Sequence, residues 1–380
     1  MESTDLYPHR GFMLDTGRKF FPVQAILSLL TLLQQYNFNV FHWHIYDAES
    51  FPLHWPADGG LTNVSIEHSH TPTYYTSQDI QSVISHAKDL DILVYPETDM
   101  PGHCDIWGLW KQYLVVGKPD LQNPEAQLDI RQSQTFDYIT SMVSTVDGYF
   151  KSPLQNRTPM HHFGGDEVAY MWHTKDDNKL FDSFLQWLKN LQPTKNKTLI
   201  LWDDPLTDPE KKINLSKDWI IQTWHDGVTQ AVLNKGHRVI VSEADAFYIH
   251  NADYNKTSSF VFPDHRNVMG FELVWFTSED DDPNDFNHSR VVEPMKAASQ
   301  IRRKQNSSSS GAVYTIIGSK LRIRLTIIRL RNTQVTQSSS RCLTCLVVTV
   351  LAACLLLVCW CFRAACLQQH CCNPPYRCRM

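Results

Sequence analysis

The chain has 380 residues, a formal net charge of −5 and a pI near 6.4. It is long enough to bury a large core, and its mild acidity excludes the electrostatic footprint of a nucleic-acid binder. Aromatic residues make up 11 %, with 11 tryptophans, which suits a site walled by flat apolar rings.

Eight apolar runs rich in β-branched and aromatic residues read as strands. In chain order they are GFMLDT (11–16), NVFHWHIYD (39–47), DILVYPETD (91–99), MHHFGGDE (160–167), TLILWDD (198–204), WIIQTWH (219–225), HRVIVSEA (237–244) and NVMGFELVWF (267–276). Amphipathic helical patterns separate them, among them VQAILSLLTLLQQY (23–36), SQDIQSVISHAKDL (77–90) and FDYITSMVSTVDGYF (136–150). Such alternation predicts a parallel sheet covered on both faces. Eight units within roughly 300 residues predict a closed (β/α)8 TIM barrel over residues 1–305. No G-x-G-x-x-G or P-loop pattern follows any strand, which argues against a nucleotide fold.

Beyond residue 305 the character changes. NSSSSG (306–311) opens a linker or stalk that reaches residue 341. CLTCLVVTVLAACLLLVCWCF (342–362) then runs without a charge and reads as a membrane span. A cysteine-rich tail, 363–380, follows it and suits palmitoylation. Of ten cysteines only Cys104 precedes residue 342, so no disulfide can form within the barrel. Seven N-x-S/T sequons, at Asn63, Asn156, Asn196, Asn214, Asn255, Asn287 and Asn306, exceed the about two or three expected by chance. They point to the secretory pathway, a lysosome or a membrane. The N-terminal MESTDLYPHRGF holds no apolar signal, so a sequence cut short at its start is expected.

The candidate chemistry centres on HHFGGDEVAY (161–170). Neighbouring side chains on a strand face opposite ways, so two acids can share one pocket only where the strand ends or kinks. The paired glycines permit that. Asp47, His103, Asp166, Glu167, Trp202, Trp224, Tyr248 and Trp275 all fall at or just past the C-terminal ends of candidate strands. That rim is where barrels of this kind build their sites. Paired carboxylates, a His with an Asp, and a ring of Trp suit glycosidic cleavage, which needs an acid for the leaving oxygen and stabilisation of an oxocarbenium-like centre.

HxGGDE at 162–167, with RGFMLDTGRKFFP (10–22), NVFHWHIYDAESFP (39–52) and YPETDMPGH (95–103), resembles the signature blocks of family 20 glycoside hydrolases, the β-N-acetylhexosaminidases. The resemblance covers about residues 8–276 and implies a retaining, substrate-assisted reaction in which the sugar's own 2-acetamido oxygen is the nucleophile. It implies Glu167 as general acid and base, with a raised pKa, and Asp166 as the residue orienting the acetamido N–H. Asp47 and His103 then support the acid. Arg10 binds sugar hydroxyls, Trp202, Trp224 and Trp275 wall the pocket, Tyr248 holds the acetamido carbonyl, and His162 is structural. Glu279 stands for a hydroxyl-binding Glu, although its spacing from Trp275 departs from the family pattern. The last strand, GFELVWFTSEDD, departs from the GGE-x-x-x-WGE form, Ala169 and Trp172 depart after the acid pair, and only nine residues precede Arg10. The implied partners are β-linked N-acetylhexosamine glycans terminating in GlcNAc or GalNAc, a membrane through residues 342–362, and a second copy as a homodimer. No cofactor or nucleic acid is implied.

Two rival readings remain at this level. His42, His44 and Asp47 spell HxHxxD, and His161 and His162 stand beside Asp166, so a zinc hydrolase is chemically conceivable. A membrane-tethered barrel with an altered last strand could instead bind N-acetylhexosamine glycans without cleaving them.

Overall fold

A computed structural model describes residues 6–303 apart from short stretches at 70–72, 152–153, 155–156, 251–253, 285 and 287–288, together with 313–318 and 321–326. The chain divides into two units, Met1–Lys304 and Gln305–Met380. The first is a closed barrel of eight parallel strands: β1 (His9–Asp15), β2 (Val40–Tyr46), β3 (Leu93–Thr98), β4 (Met160–His162), β5 (Thr198–Trp202), β6 (Ile220–Thr223), β7 (Arg238–Val241) and β8 (Val268–Trp275). They pair in sequence order, and β8 closes on β1 with Gly11 opposite Glu272. The eight expected strands are all present, although β4, expected over 160–167, stops at His162.

The covering helices follow from their patterns. Val23–Gln35 buries Ala25, Ile26, Leu29, Leu30 and Leu33, a stripe at helical spacing. Ser77–Asp89 begins with a reciprocal cap, in which the Thr76 hydroxyl accepts the Asp79 N–H and the Asp79 carboxylate accepts that of Thr76. Such caps contribute about 1 kcal/mol. The helices pack against the outward strand residues Phe41, Trp43, Leu201, Ile221, Val239, Phe271, Leu273 and Trp275 in one continuous core.

Inside the barrel the lower layer is apolar, built from Val40, Leu93, Tyr95, Met160, Ile200, Ile220 and Ile240. The layer above it is charged. Glu272 joins His9 (2.6 Å), His42 (3.0 Å), Tyr95 (2.8 Å) and Gln222 (3.0 Å). Glu97 joins His42 (3.0 Å), His44 (2.6 Å), His162 (3.1 Å) and the Trp202 indole (2.8 Å). All of these groups are buried, so each carboxylate is tolerable only because donors surround it. This network rises through the barrel axis and ends under the mouth.

The second unit contributes an antiparallel hairpin to the described residues, Val313–Gly318 against Leu321–Thr326. It lies in the stretch read from the sequence as a linker, and its basic–apolar alternation has the two-residue period of a strand. Residues 342–380 lie outside the described residues. Among the described residues no helix is long and apolar enough to cross a membrane.

Candidate active site

The turn after β4 sets the two acids. The strand stops at His162, and Gly164 and Gly165 take φ of 63° and 82°, the left-handed region that glycine enters without strain. A Cβ on Gly164 would lie 1.6 Å from the Asp99 carboxylate, so the close approach of the two loops also requires glycine. Asp99 in turn accepts the Gly165 N–H at 3.0 Å. Glu167 continues the turn at φ 49°. Asp166 ends up buried and Glu167 exposed at the mouth, with His103 in reach of both.

His103 links three acids. Its Nδ1 is 2.6 Å from Asp99 and 3.9 Å from Asp166, and its Nε2 is 3.1 Å from Glu167. Burial opposes its charge, but Asp99 and Asp166 outweigh that and hold the imidazolium well above the usual histidine range. Burial, followed by the Asp99 charge, pushes Asp166 well up. Glu167 moves the other way: the hydrogen bond from His103 lowers it, against a smaller opposing effect of burial. The expectation of a raised Glu167 is therefore corrected. Its side chain is 61 % exposed and faces a cation, whereas Asp166 sits dry beside another acid. Asp166 Oδ1 is buried and accepts no hydrogen bond from the protein.

Asp47 does not bond to His103 or Glu167. It accepts from Arg18 (3.0 Å), His44 (2.8 Å) and the Ala48 N–H (2.6 Å). Burial opposes its ionised form, but Arg18 and His44 hold it well below the usual carboxylate range. Its influence on His103 is through charge.

The walls divide into those expected and those misplaced. Trp202 is buried, with its indole N–H on Glu97, and its ring centroid is 5.0 Å from His162 and 6.3 Å from Phe276. Trp224 donates to Asp204 at 2.7 Å, and Asp204 also accepts the Glu167 backbone N–H at 3.0 Å. Tyr248 packs on Phe276, centroids 5.6 Å apart, and burial and then the Asp166 charge keep its phenol protonated. Trp275 is not a pocket wall. It points outward from β8, packing edge-on against Phe21 and Phe286. The parity of β8 sends Glu272, Val274 and Phe276 inward, so Phe276 takes the wall position, under Arg18 at 4.9 Å.

Arg10 is corrected as well. It lies at the N-terminal end of β1, where its guanidinium bonds the carbonyls of Asn37 and Tyr7 at 2.6 Å. The arginine at the mouth is Arg18, which bridges Asp15 and Asp47, both at 3.0 Å. Glu279 stands exposed on the lip beyond β8, apart from the acid pair. Sequence reasoning missed Asp99, Arg18, Asp204 and Phe276. The signals were there: Asp99 lies four residues before His103, and Arg18 just past the C-terminal end of β1.

Among the described residues, three acid–histidine groups bring possible ligand atoms within 4.8 Å of one another: His42, Glu97 and His162; Asp99, His103 and Asp166; Asp203, Asp204 and His225. Direct hydrogen bonds of 2.6 to 3.1 Å already join members of each, including His225 to Asp203 at 2.7 Å.

Known proteins resemble this chain in sequence and in fold. A family described as "Glycosyl hydrolase family 20, catalytic domain" matches residues 7–298. β-Hexosaminidase subunit A1 of Dictyostelium discoideum is 32 % identical over 270 residues, 66 % of this chain and 48 % of that protein. The chitooligosaccharidolytic β-N-acetylglucosaminidase of Bombyx mori is 32 % identical over 282 residues, 64 % of this chain and 45 % of that protein. The chain thus spans about half the length of the curated relatives it matches. In fold it resembles the exo-β-N-acetylglucosaminidase from Vibrio harveyi, with a TM-score of 0.67 at 20 % identity over 80 % of this chain and 56 % of that one. The β-N-acetylhexosaminidase from Bacteroides fragilis gives 0.68 at 19 % over 80 % and 68 %. The barrel, the glycine turn that carries the two acids and the extent of the family match together place this chain in glycosyl hydrolase family 20.

Proposed function

We propose that the chain is a β-N-acetylhexosaminidase that removes terminal, non-reducing β-linked GlcNAc or GalNAc with retention of configuration. The observation that carries this is Asp166 Oδ1, a buried acceptor without a protein donor, one residue from an acid bonded to His103. An acetamido N–H supplies the missing donor, and the scissile bond leaves the adjacent carbon, within reach of Glu167.

In this mechanism Glu167 protonates the departing oxygen while the acetamido carbonyl oxygen attacks C1. Asp166 accepts the N–H and stabilises the positive charge that develops on the acetamido group. Tyr248, kept protonated, donates to the acetamido oxygen. Glu167 then takes a proton from water as the water opens the cyclic intermediate at C1, which restores the original configuration. The surroundings of these groups favour protons on His103 and Asp166 over Glu167. Substrate reverses that preference, because an N–H on Asp166 favours its ionised form while the sugar strips water from Glu167.

The test is hydrolysis of 4-nitrophenyl N-acetyl-β-glucosaminide by the full chain and by Glu167→Gln. We expect turnover that falls at least about a hundredfold in the variant, the scale of a lost general acid. A folded protein that binds the sugar without turnover refutes the reading and favours the non-hydrolytic receptor. We further propose passage through the secretory pathway, with 342–362 as the membrane span. The sequon residues Asn63, Asn196, Asn214 and Asn255 are all exposed, as glycan attachment requires. A mobility shift on treating the protein from secretory cells with an N-glycan-removing amidase is the expected result.

A further inference from the structure

β1, β2 and β3 set three ionisable side chains in one rung just under the mouth. His44 on β2 stands in register between Asp15 on β1 and Glu97 on β3. Its ring is buried, and both of its nitrogens face carboxylates: Nδ1 lies 2.6 Å from Glu97 and Nε2 2.8 Å from Asp47. A ring nitrogen bonds a carboxylate by donating a proton, so two such bonds at once require the imidazolium. Burial opposes that charge, but Glu97 and then Asp47 outweigh it and hold His44 well above the usual histidine range. Asp47 Oδ2 is shared: it accepts from His44 on one side and from Arg18 Nη1, at 3.0 Å, on the other. The same Nη1 lies 3.0 Å from Asp15, and Glu49 lies 3.7 Å from Arg18 Nε. Three acids thus crowd Arg18, and each competes for donors that a sugar's hydroxyls would use.

We infer that His44 is a positioning residue for the hydrolytic reaction, a fixed positive charge under the mouth that shares Asp47 with Arg18 and so keeps the guanidinium available to the sugar. The inference rests on the hexosaminidase reading of the pocket. The His44 side chain is 1 % exposed, so it acts through Asp47 and Arg18 and not on the sugar itself. With a neutral residue in its place, Asp47 keeps Arg18 alone as its ion-pair partner among the described residues. The guanidinium is then drawn onto Asp47 and sugar binding weakens. Proton transfer at Glu167, whose partner is His103, is left as it was.

The experiment measures KM and kcat on 4-nitrophenyl N-acetyl-β-glucosaminide for the full chain, for His44→Gln, for Arg18→Ala and for the double variant. Gln keeps a donor and loses the charge. In His44→Gln, KM should rise about fivefold, the scale of one hydrogen bond, with kcat within about twofold of the parent. A purely structural role gives the opposite split, because partial unfolding lowers the active fraction, and with it kcat, and leaves KM unchanged. On top of Arg18→Ala, His44→Gln should raise KM no further, since residues that act through one another are not additive. An unchanged KM in His44→Gln, or the full rise repeated on top of Arg18→Ala, overturns the inference and leaves the hexosaminidase reading standing. No turnover by the folded parent overturns both. If His44→Gln does not fold, nitrogen–proton correlation spectra of the parent's histidine side chains decide. His44, identified by its displacement in Phe276→Ala because that ring packs edge-on at 5.4 Å, should have both nitrogens protonated near neutral pH. A neutral His44 overturns the inference.

Discussion

Asp99→Asn probes the charge on His103 with little steric change. The Gly165 N–H, 3.0 Å from Asp99 Oδ1, can donate only to the amide oxygen, so the new amide turns its NH2 group toward His103. His103 Nδ1 must then act as acceptor, which leaves a neutral ring with its proton on Nε2. The bond to Glu167 at 3.1 Å survives, but from a neutral donor. Charged hydrogen bonds contribute about 1.5–3 kcal/mol and neutral ones about 1, so the loss is about 1–2 kcal/mol, a fall of about 5- to 30-fold in kcat. Because Asp99 is the foremost group raising His103, the alkaline limb of the rate profile should also move to lower pH. The assay is kcat and KM for 4-nitrophenyl N-acetyl-β-glucosaminide across pH 4–9, with thermal melts to show that the variant is folded. A variant within twofold of the parent in kcat, with its alkaline limb unmoved, would refute a functional charge on His103.

Further variants separate wall from core. Phe276→Ala should raise KM several-fold with a small change in melting temperature, while Trp275→Ala should destabilise by about 3–5 kcal/mol in chemical denaturation and leave KM nearly unchanged. Arg18→Ala should weaken substrate binding by at least about tenfold, measured as KM, whereas Arg10→Ala should leave KM within twofold and lower the melting temperature. Glu97→Gln strips the buried histidines of their shared counter-charge and should destabilise by about 3–5 kcal/mol. For the parent, Glu97 and Glu272 have lowered pKa values, so their stabilisation is present above the ordinary carboxylate pKa and lost as pH falls through the folded values. His42 and His44 have raised values, so theirs is present below the ordinary histidine pKa and lost as pH rises through the folded ones. Melting temperatures should therefore decline at both extremes, and the alkaline decline should shrink in Glu97→Gln. Dialysis against a strong chelator should leave the hydrolysis rate unchanged, and a metal-restored loss would revive the zinc reading.

The errors of sequence reasoning here are errors of strand parity and strand direction, and both have one physical origin. The apolar runs made the eight strands legible, because buried parallel strands read as continuous hydrophobic stretches. That same continuity hides which residues face the axis. In VMGFELVWF (268–276) every side chain is apolar except Glu272, and Trp275 is the obvious candidate for a sugar-stacking wall. Yet Glu272 must face inward to meet His9 and His42, and the two-residue period then sends Trp275 out and Phe276 in. The buried acid is thus the marker that fixes the register of the last strand. The same test works on β2, where His42 and His44 face inward and make Trp43 an outer residue. Direction explains the arginines: a strand of seven residues is about 23 Å long, so Arg10 and Arg18 stand at opposite ends of the barrel. The acid pair Asp166–Glu167 escaped both errors because Gly164 and Gly165 end strand parity just before it. There the local chemistry alone placed two acids in one pocket, and the long-range partners Asp99 and Asp204 then set them apart, one buried and one exposed.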